Sequence, residues 1–232
     1  MKKIIFILLG VVLFVVLILL VIFISPKETV FDEELLGIDY SVEGNETSLK
    51  YDTEYPVVAL YIKRYGSVVI ELYPYAAPNT VNNFISLVRK GFYDGNTFHR
   101  LMPGFVLQGG DPDGTGGGGP GYYIKGEFTA NGFNNYLTHE KWTVSMARAT
   151  APDTAGSQFF ICLETDTCST LDGSYAAFGK VIDGFDAIKA IAKKEKIADA
   201  ESGKLQNNLV IEKALVDLKG TEYPEPETIP ES

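Results

Sequence analysis

Cysteine is almost missing, with only Cys162 and Cys168 in 232 residues, so a small fold stapled by disulfides is excluded. Histidine is as scarce. His99 and His139 stand alone, and no pair among these four side chains has zinc-type spacing, which leaves no expected metal. No segment gathers lysine and arginine into a basic stripe, so the footprint that grips a phosphate backbone is missing and nucleic acid is not an expected partner. The glycine run 114–121 lacks both the Gly-Lys-Ser/Thr ending and the following helix of a phosphate cradle. It reads instead as a loop built for close backbone approach, and no cofactor is expected. No repeat of solenoid length recurs.

What is present is unevenly spread. The formal net charge is −10, yet residues 57–220 hold 17 acids against 16 bases, for −1. The excess lies outside them: residues 25–56 carry nine acids against Lys27 and Lys50, and residues 221–232 add four glutamates. The body is nearly neutral, and a hydrophobic content of 46% is enough for a core.

Ile4 to Ile24 is a run of 21 residues without a charged or polar side chain. At about 1.5 Å per residue it matches a hydrocarbon core of about 30 Å. The apolar core of a cleaved signal is shorter and ends at small residues, whereas this run ends Phe23-Ile24-Ser25-Pro26. We therefore expect one uncleaved N-terminal transmembrane helix. Lys2 and Lys3 before it and acids after it place the N-terminus in the cytoplasm and the body outside it, in a single-pass protein of the cell membrane.

The chain then divides into an anchor at 1–24, an acidic linker at 25–55, a folded domain at 56–220 and a disordered Pro/Glu tail at 221–232. The linker shows no sustained apolar period and reads as an extended spacer. Its sequon, Asn45-Glu46-Thr47, is read as chance. In the domain, 57–62 and 68–73 are β-rich runs flanking Tyr65-Gly66, the pattern of a hairpin. Pro78 opens a helix through about 90, with Val81, Phe84, Leu87 and Val88 on one face and Gly91 as the stop. Thirteen glycines between 91 and 132 preclude a long helix there. Strands are expected at 144–149, 157–163, 176–181 and 209–218, with a second helix at 185–195. The fold class is mainly β, a closed antiparallel barrel capped at its ends by two helices.

Four ordered blocks carry chemistry: Phe98-His99-Arg100 continuing through Pro103-Gly104-Phe105-Val106-Leu107-Gln108-Gly109-Gly110-Asp111; Ser145-Met146-Ala147-Arg148-Ala149; Gly156-Ser157-Gln158-Phe159-Phe160; and Leu171-Asp172-Gly173-Ser174-Tyr175-Ala176. Together they resemble the cyclophilin family of peptidyl-prolyl cis-trans isomerases over about 57–218, with a leaning toward bacterial-type members through 114–122 and 145–149. The resemblance implies an eight-stranded barrel with two helices. It also implies an enzyme that takes proline-containing polypeptides and speeds X-Pro isomerisation; joined with the expected anchor, the expectation is a monomer that acts during folding of exported or membrane-proximal proteins. The alternative is a proline-segment binding module or chaperone without essential turnover.

By the same resemblance, Arg100, Phe105 and Gln108 are the catalytic candidates. His99, Val106, Ala147, Arg148, Ala149, Gln158, Phe160, Thr170, Leu171 and Tyr175 are expected to bind substrate. Within that set, Phe105, Val106, Phe160 and Leu171 receive the proline ring, and Ala147 to Ala149 leave room for the residue before it. Read from strand patterning alone, those four apolar side chains would be core. Thr170 stands where cyclosporin-sensitive relatives carry tryptophan, so cyclosporin binding is expected to be weak. Cys162 reads as a small core residue and Cys168 as a loop residue, in preference to a disulfide between them.

Overall fold

A computed structural model describes residues 44–231. The expected anchor at 4–24 and the first part of the acidic segment lie outside the described residues. Among those described, no helix is long and apolar enough to cross a membrane.

The expected hairpin is β1 (Val57–Ile62) and β2 (Gly66–Leu72), antiparallel with Val57 opposite Glu71. Helix α1 (Pro78–Arg89) follows, then β3 (Thr97–Met102), β4 (Val106–Asp111) and the short β5 (Tyr122–Tyr123). Next come β6 (Thr143–Met146), β7 (Phe159–Cys162), a one-turn α2 (Thr165–Cys168), β8 (Ala177–Asp183) and α3 (Phe185–Lys194). The chain ends with β9 (Ile197–Asp199), β10 (Lys204–Asp217) and β11 (Ile229–Pro230). Hydrogen bonding runs β1-β2-β8-β6-β7-β4-β3-β10, and β10 pairs back with β1. Eight antiparallel strands therefore close into a barrel and leave no long edge open.

Period-two alternation decides which side chains fill it. Leu101, Leu107, Val144, Met146, Phe159 and Ile161 belong to the main core, where Phe84 of α1 meets Phe159 edge-on at 5.3 Å. Helix α1 starts at Pro78, in the first turn where a missing N–H costs nothing. The buried Glu127 carboxylate accepts from Asn79 N at 3.0 Å and from Thr80 N and Oγ1, both at 2.7 Å. A distant acid thus caps the positive end of the helix.

The acidic segment before the barrel differs from the spacer expected of it. Residues 44–54 lie along the outer face of β1, β2 and β10, where Leu49 and Tyr51 pack with Val57, Ala59, Tyr61, Val69 and Leu215. Thr47 N donates to Val216 O at 2.9 Å and Leu49 N to Asp217 Oδ2 at 2.7 Å. The physical reason is visible in β1: all six of its residues are buried, so its outer face needs a cover. Asn45 of the sequon is buried, donating to Asp94 at 3.1 Å and accepting from Lys213 Nζ at 2.6 Å.

The tail is likewise an ordered strap and not a free end. Glu225 accepts from Ser86 Oγ at 2.8 Å and Lys90 Nζ at 2.7 Å on α1. The Asn79 side chain brackets Glu227, donating to its carbonyl at 2.9 Å and accepting from its N–H at 2.8 Å. Ile229 and Pro230 then pair with Tyr123 and Tyr122 of β5. Prolines forbid a helix here, but an extended edge strand tolerates them.

Candidate active site

The site lies on the outside of the barrel wall, because residues directly opposite one another across antiparallel strands share a face. Arg100 on β3 is opposite Gln108 on β4, Gln108 is opposite Phe160 on β7, and Phe160 is opposite Ser145 on β6. Phe160, Val106, Cys162 and Cys168 form a small buried cluster outside the main core, with Phe105, Ala147, Leu171 and Tyr175 packed at its surface. The Phe160 and Tyr175 rings meet edge-on at 5.8 Å.

Polar groups border this apolar floor in one connected line. Arg100 Nε donates to the Ser202 carbonyl at 2.8 Å and Nη1 to Gln108 Oε1 at 3.0 Å. Gln108 Nε2 donates to Gln158 Oε1 at 3.0 Å, and Gln158 Nε2 donates to the Gly116 and Gly118 carbonyls at 3.0 and 2.9 Å. Burial pulls the Arg100 guanidinium below its ordinary value, with Tyr175 opposing. It keeps its proton at neutral pH all the same.

The glycine loop is folded around one carboxylate. Asp111 accepts from Asp113 N at 2.8 Å, Thr115 N at 3.0 Å and Gly116 N. Burial works against its charge, but the backbone N–H groups of Asp113, Gly116 and Gly118 win and hold the carboxyl below its usual range. Gly110, at φ 87, lies so close to the Ser157 carbonyl that a side chain has no room. That approach seats β4 against the segment carrying Gln158.

Most of the expected residues converge. Arg100, Gln108, Gln158, Phe105, Phe160, Leu171, Tyr175 and Ala147 surround the apolar cluster, with Val106 beneath it. Arg148 and Ala149 line an adjoining cavity of about 210 Å³ together with Gln108, Ala147 and Gln158. The Arg148 guanidinium turns away to the Ser174, Ala149 and Thr150 carbonyls and lies 4.6 Å from the Tyr175 ring centre. His99 is buried at 4% exposure, in the wall of a second cavity of about 400 Å³ beside Arg100 and Gln108. Thr170 is the exception. It is exposed, outside the cluster, and its hydroxyl donates to Thr167 O at 2.7 Å within its own turn.

Sequence reasoning missed the brace under the floor. His139 Nδ1 lies 2.9 Å from Asp172 Oδ1, and Nε2 lies 3.0 Å from Ser145 Oγ. Its ring is stacked 6.1 Å from Phe160. Both partners sat in quoted blocks, but nothing in their spacing pointed to His139. Cys162 and Cys168 are free and buried, Cys168 in α2 with its thiol 3.2 Å from the Phe105 carbonyl. Among the described residues no group of three His, Cys, Asp or Glu side chains is placed to hold a metal.

Residues 57–216 match the family model described as cyclophilin type peptidyl-prolyl cis-trans isomerase/CLD. Peptidyl-prolyl cis-trans isomerase B of Bacillus subtilis is 53% identical over 124 residues, covering 53% of this chain and 82% of the relative. A peptidyl-prolyl cis-trans isomerase of Synechococcus elongatus is 48% identical over 118 residues, covering 51% of this chain and 75% of the relative. Among solved structures, a Cryptosporidium parvum cyclophilin type isomerase in the presence of the dipeptide Ala-Pro superposes with a TM-score of 0.60. It is 33% identical, and the match covers 69% of this chain and 98% of that one.

Proposed function

The chain belongs to the cyclophilin-type peptidyl-prolyl cis-trans isomerases, and from that premise we propose how its residues divide the work and where it is done. The carrying observation is Arg100, fixed at Nε by Ser202 O and at Nη1 by Gln108 beside an apolar floor.

Rotation about an X-Pro bond faces a barrier of about 18 to 20 kcal/mol because the nitrogen lone pair is delocalised into the carbonyl. As the bond twists, that lone pair localises on nitrogen. A guanidinium N–H then donates to it, an interaction absent in either planar state, so the twisted state gains selectively. The proline ring rests on Phe105, Phe160 and Leu171, which anchors one side of the bond. Gln108 and Gln158 offer amide groups to the backbone on the other side, and Ala147 keeps the strip beside it shallow. No nucleophile or general base enters.

The substrates in this reading are unfolded chains that are exported or lie near the membrane, since uncatalysed isomerisation takes tens of seconds and delays folding there. The apolar run at 4–24, the two lysines before it and the acids after it support an anchored protein whose domain faces away from the cytoplasm. The nearly neutral body and acidic flanks suit a unit held off an anionic surface. Protease added to intact cells tests this. Digestion of the domain with retention of the N-terminus in the membrane is expected, and a domain protected until the cells are lysed contradicts it.

A further inference from the structure

The strap that ends the chain reaches the site. Its β11 pairing with β5 and the Asn79 bracket on Glu227 bring Glu231 into the wall of the 210 Å³ cavity, where Tyr123 Oη donates to its carboxylate at 3.0 Å. The same cavity is walled by Gln108, Ala147 and Gln158, the residues that border the proline floor. A bound chain running along the Ala147 strip therefore delivers a side chain from before its proline into a pocket with an acid in its wall.

Among the residues lining that cavity Glu231 is the acid and Arg148 the base, and their charged groups are differently engaged. Arg148 keeps its positive charge, but its N–H donors are turned to the carbonyls of Ser174, Ala149 and Thr150 and its plane lies by the rings of Tyr175 and Phe128. Glu231 has no lysine or arginine within ion-pair distance among the described residues. An acid held at a cavity wall without a salt-bridge partner is open to an incoming cation.

We propose that the C-terminal strap is part of the substrate site, and that Glu231 favours substrates with lysine or arginine two or three residues before the proline. The inference rests on the isomerase reading of the proline floor and deepens it by naming a substrate class.

The test uses the full chain in detergent and three peptides that carry lysine, alanine or glutamate at those positions. A partly exposed pairing predicts a kcat/KM about fivefold higher for the lysine than for the glutamate peptide. Salt of about 1 M, where the screening length is about 3 Å, narrows that ratio. Glu231→Gln, which keeps an oxygen for Tyr123, brings the ratio close to one, and Glu231→Lys inverts it. Glu222→Gln, in the same tail but away from the cavity, keeps the wild-type ratio. A ratio of one in the wild type, or one that Glu231→Gln leaves unchanged, overturns the inference alone. No turnover of any of the three peptides overturns the isomerase reading with it.

Discussion

Ser145 Oγ lies 3.0 Å from Nε2 of His139, and the other nitrogen of that ring lies 2.9 Å from Asp172. The order Ser-His-Asp imitates a hydrolytic triad, but Ser145, beside Phe160 on the neighbouring strand, is fully buried and closed to a substrate. With Nδ1–H donating to the carboxylate, Nε2 accepts from the serine, and the three groups brace the floor from below. Ser145→Ala leaves a buried nitrogen unsatisfied and is expected to cost about 1 to 3 kcal/mol in urea denaturation. A fluorophosphonate leaves Ser145 unlabelled; labelling there contradicts the brace.

Both histidines have pKa values below the ordinary 6.5, in each case mainly through burial. Arg100 adds to the effect at His99 against Asp111, while Asp172 opposes it at His139. An unfolded chain takes up these two protons as pH falls through 6.5, and the folded chain takes them up only at lower pH. Their contribution to stability is therefore complete above 6.5 and is lost as pH falls below it. Imidazole NMR signals are expected to titrate below 6.5, together with a falling urea midpoint. Signals that titrate above that value sink the prediction.

Leu49 is 6% exposed, although it belongs to a segment whose composition suits a spacer. Leu49→Ala is expected to destabilise the domain by about 2 to 3 kcal/mol, the range for a truncated buried leucine. In a free linker the same change costs nothing, so an unmoved melting temperature excludes the docked segment.

The barrel and the site were legible in the sequence to different depths. Local signals served well for the elements, in the 57–73 hairpin and in Pro78 and Gly91 bounding α1, and the blocks around Arg100, Gln108, Phe160 and Leu171 come together on one face. Contacts between distant residues carried no such signal. Glu127 capping α1 and His139 reaching Ser145 depend on where the chain returns, and periodicity does not encode that. The docked flanks were half visible, because Val57-Val58-Ala59-Leu60-Tyr61-Ile62 is continuously apolar and does not alternate. Such a strand demands cover on both faces. Charge and proline content obscured the cover, since they argue against helices and cores but not against an extended strap.

Thr170 accounts for the expectation of weak cyclosporin binding. Its exposed side chain is turned into its own turn, toward Thr167 O, and offers the drug neither the apolar area nor the N–H donor of an indole. Thr170→Trp is expected to tighten cyclosporin binding, measured by inhibition of peptide isomerisation. Nanomolar inhibition of the unaltered chain contradicts the prediction.

The central claim is that the Arg100 guanidinium stabilises the twisted X-Pro bond. The direct measurement is kcat/KM for a proline peptide with Arg100→Ala beside the wild type, with circular dichroism to confirm that the barrel is intact. A loss of about a hundredfold or more is expected, the scale of removing one preorganised donor. Arg100→Lys falls well short of wild type, because an ammonium cannot hold Ser202 O and Gln108 in the same fork. Wild-type turnover by a folded Arg100→Ala protein contradicts the mechanism.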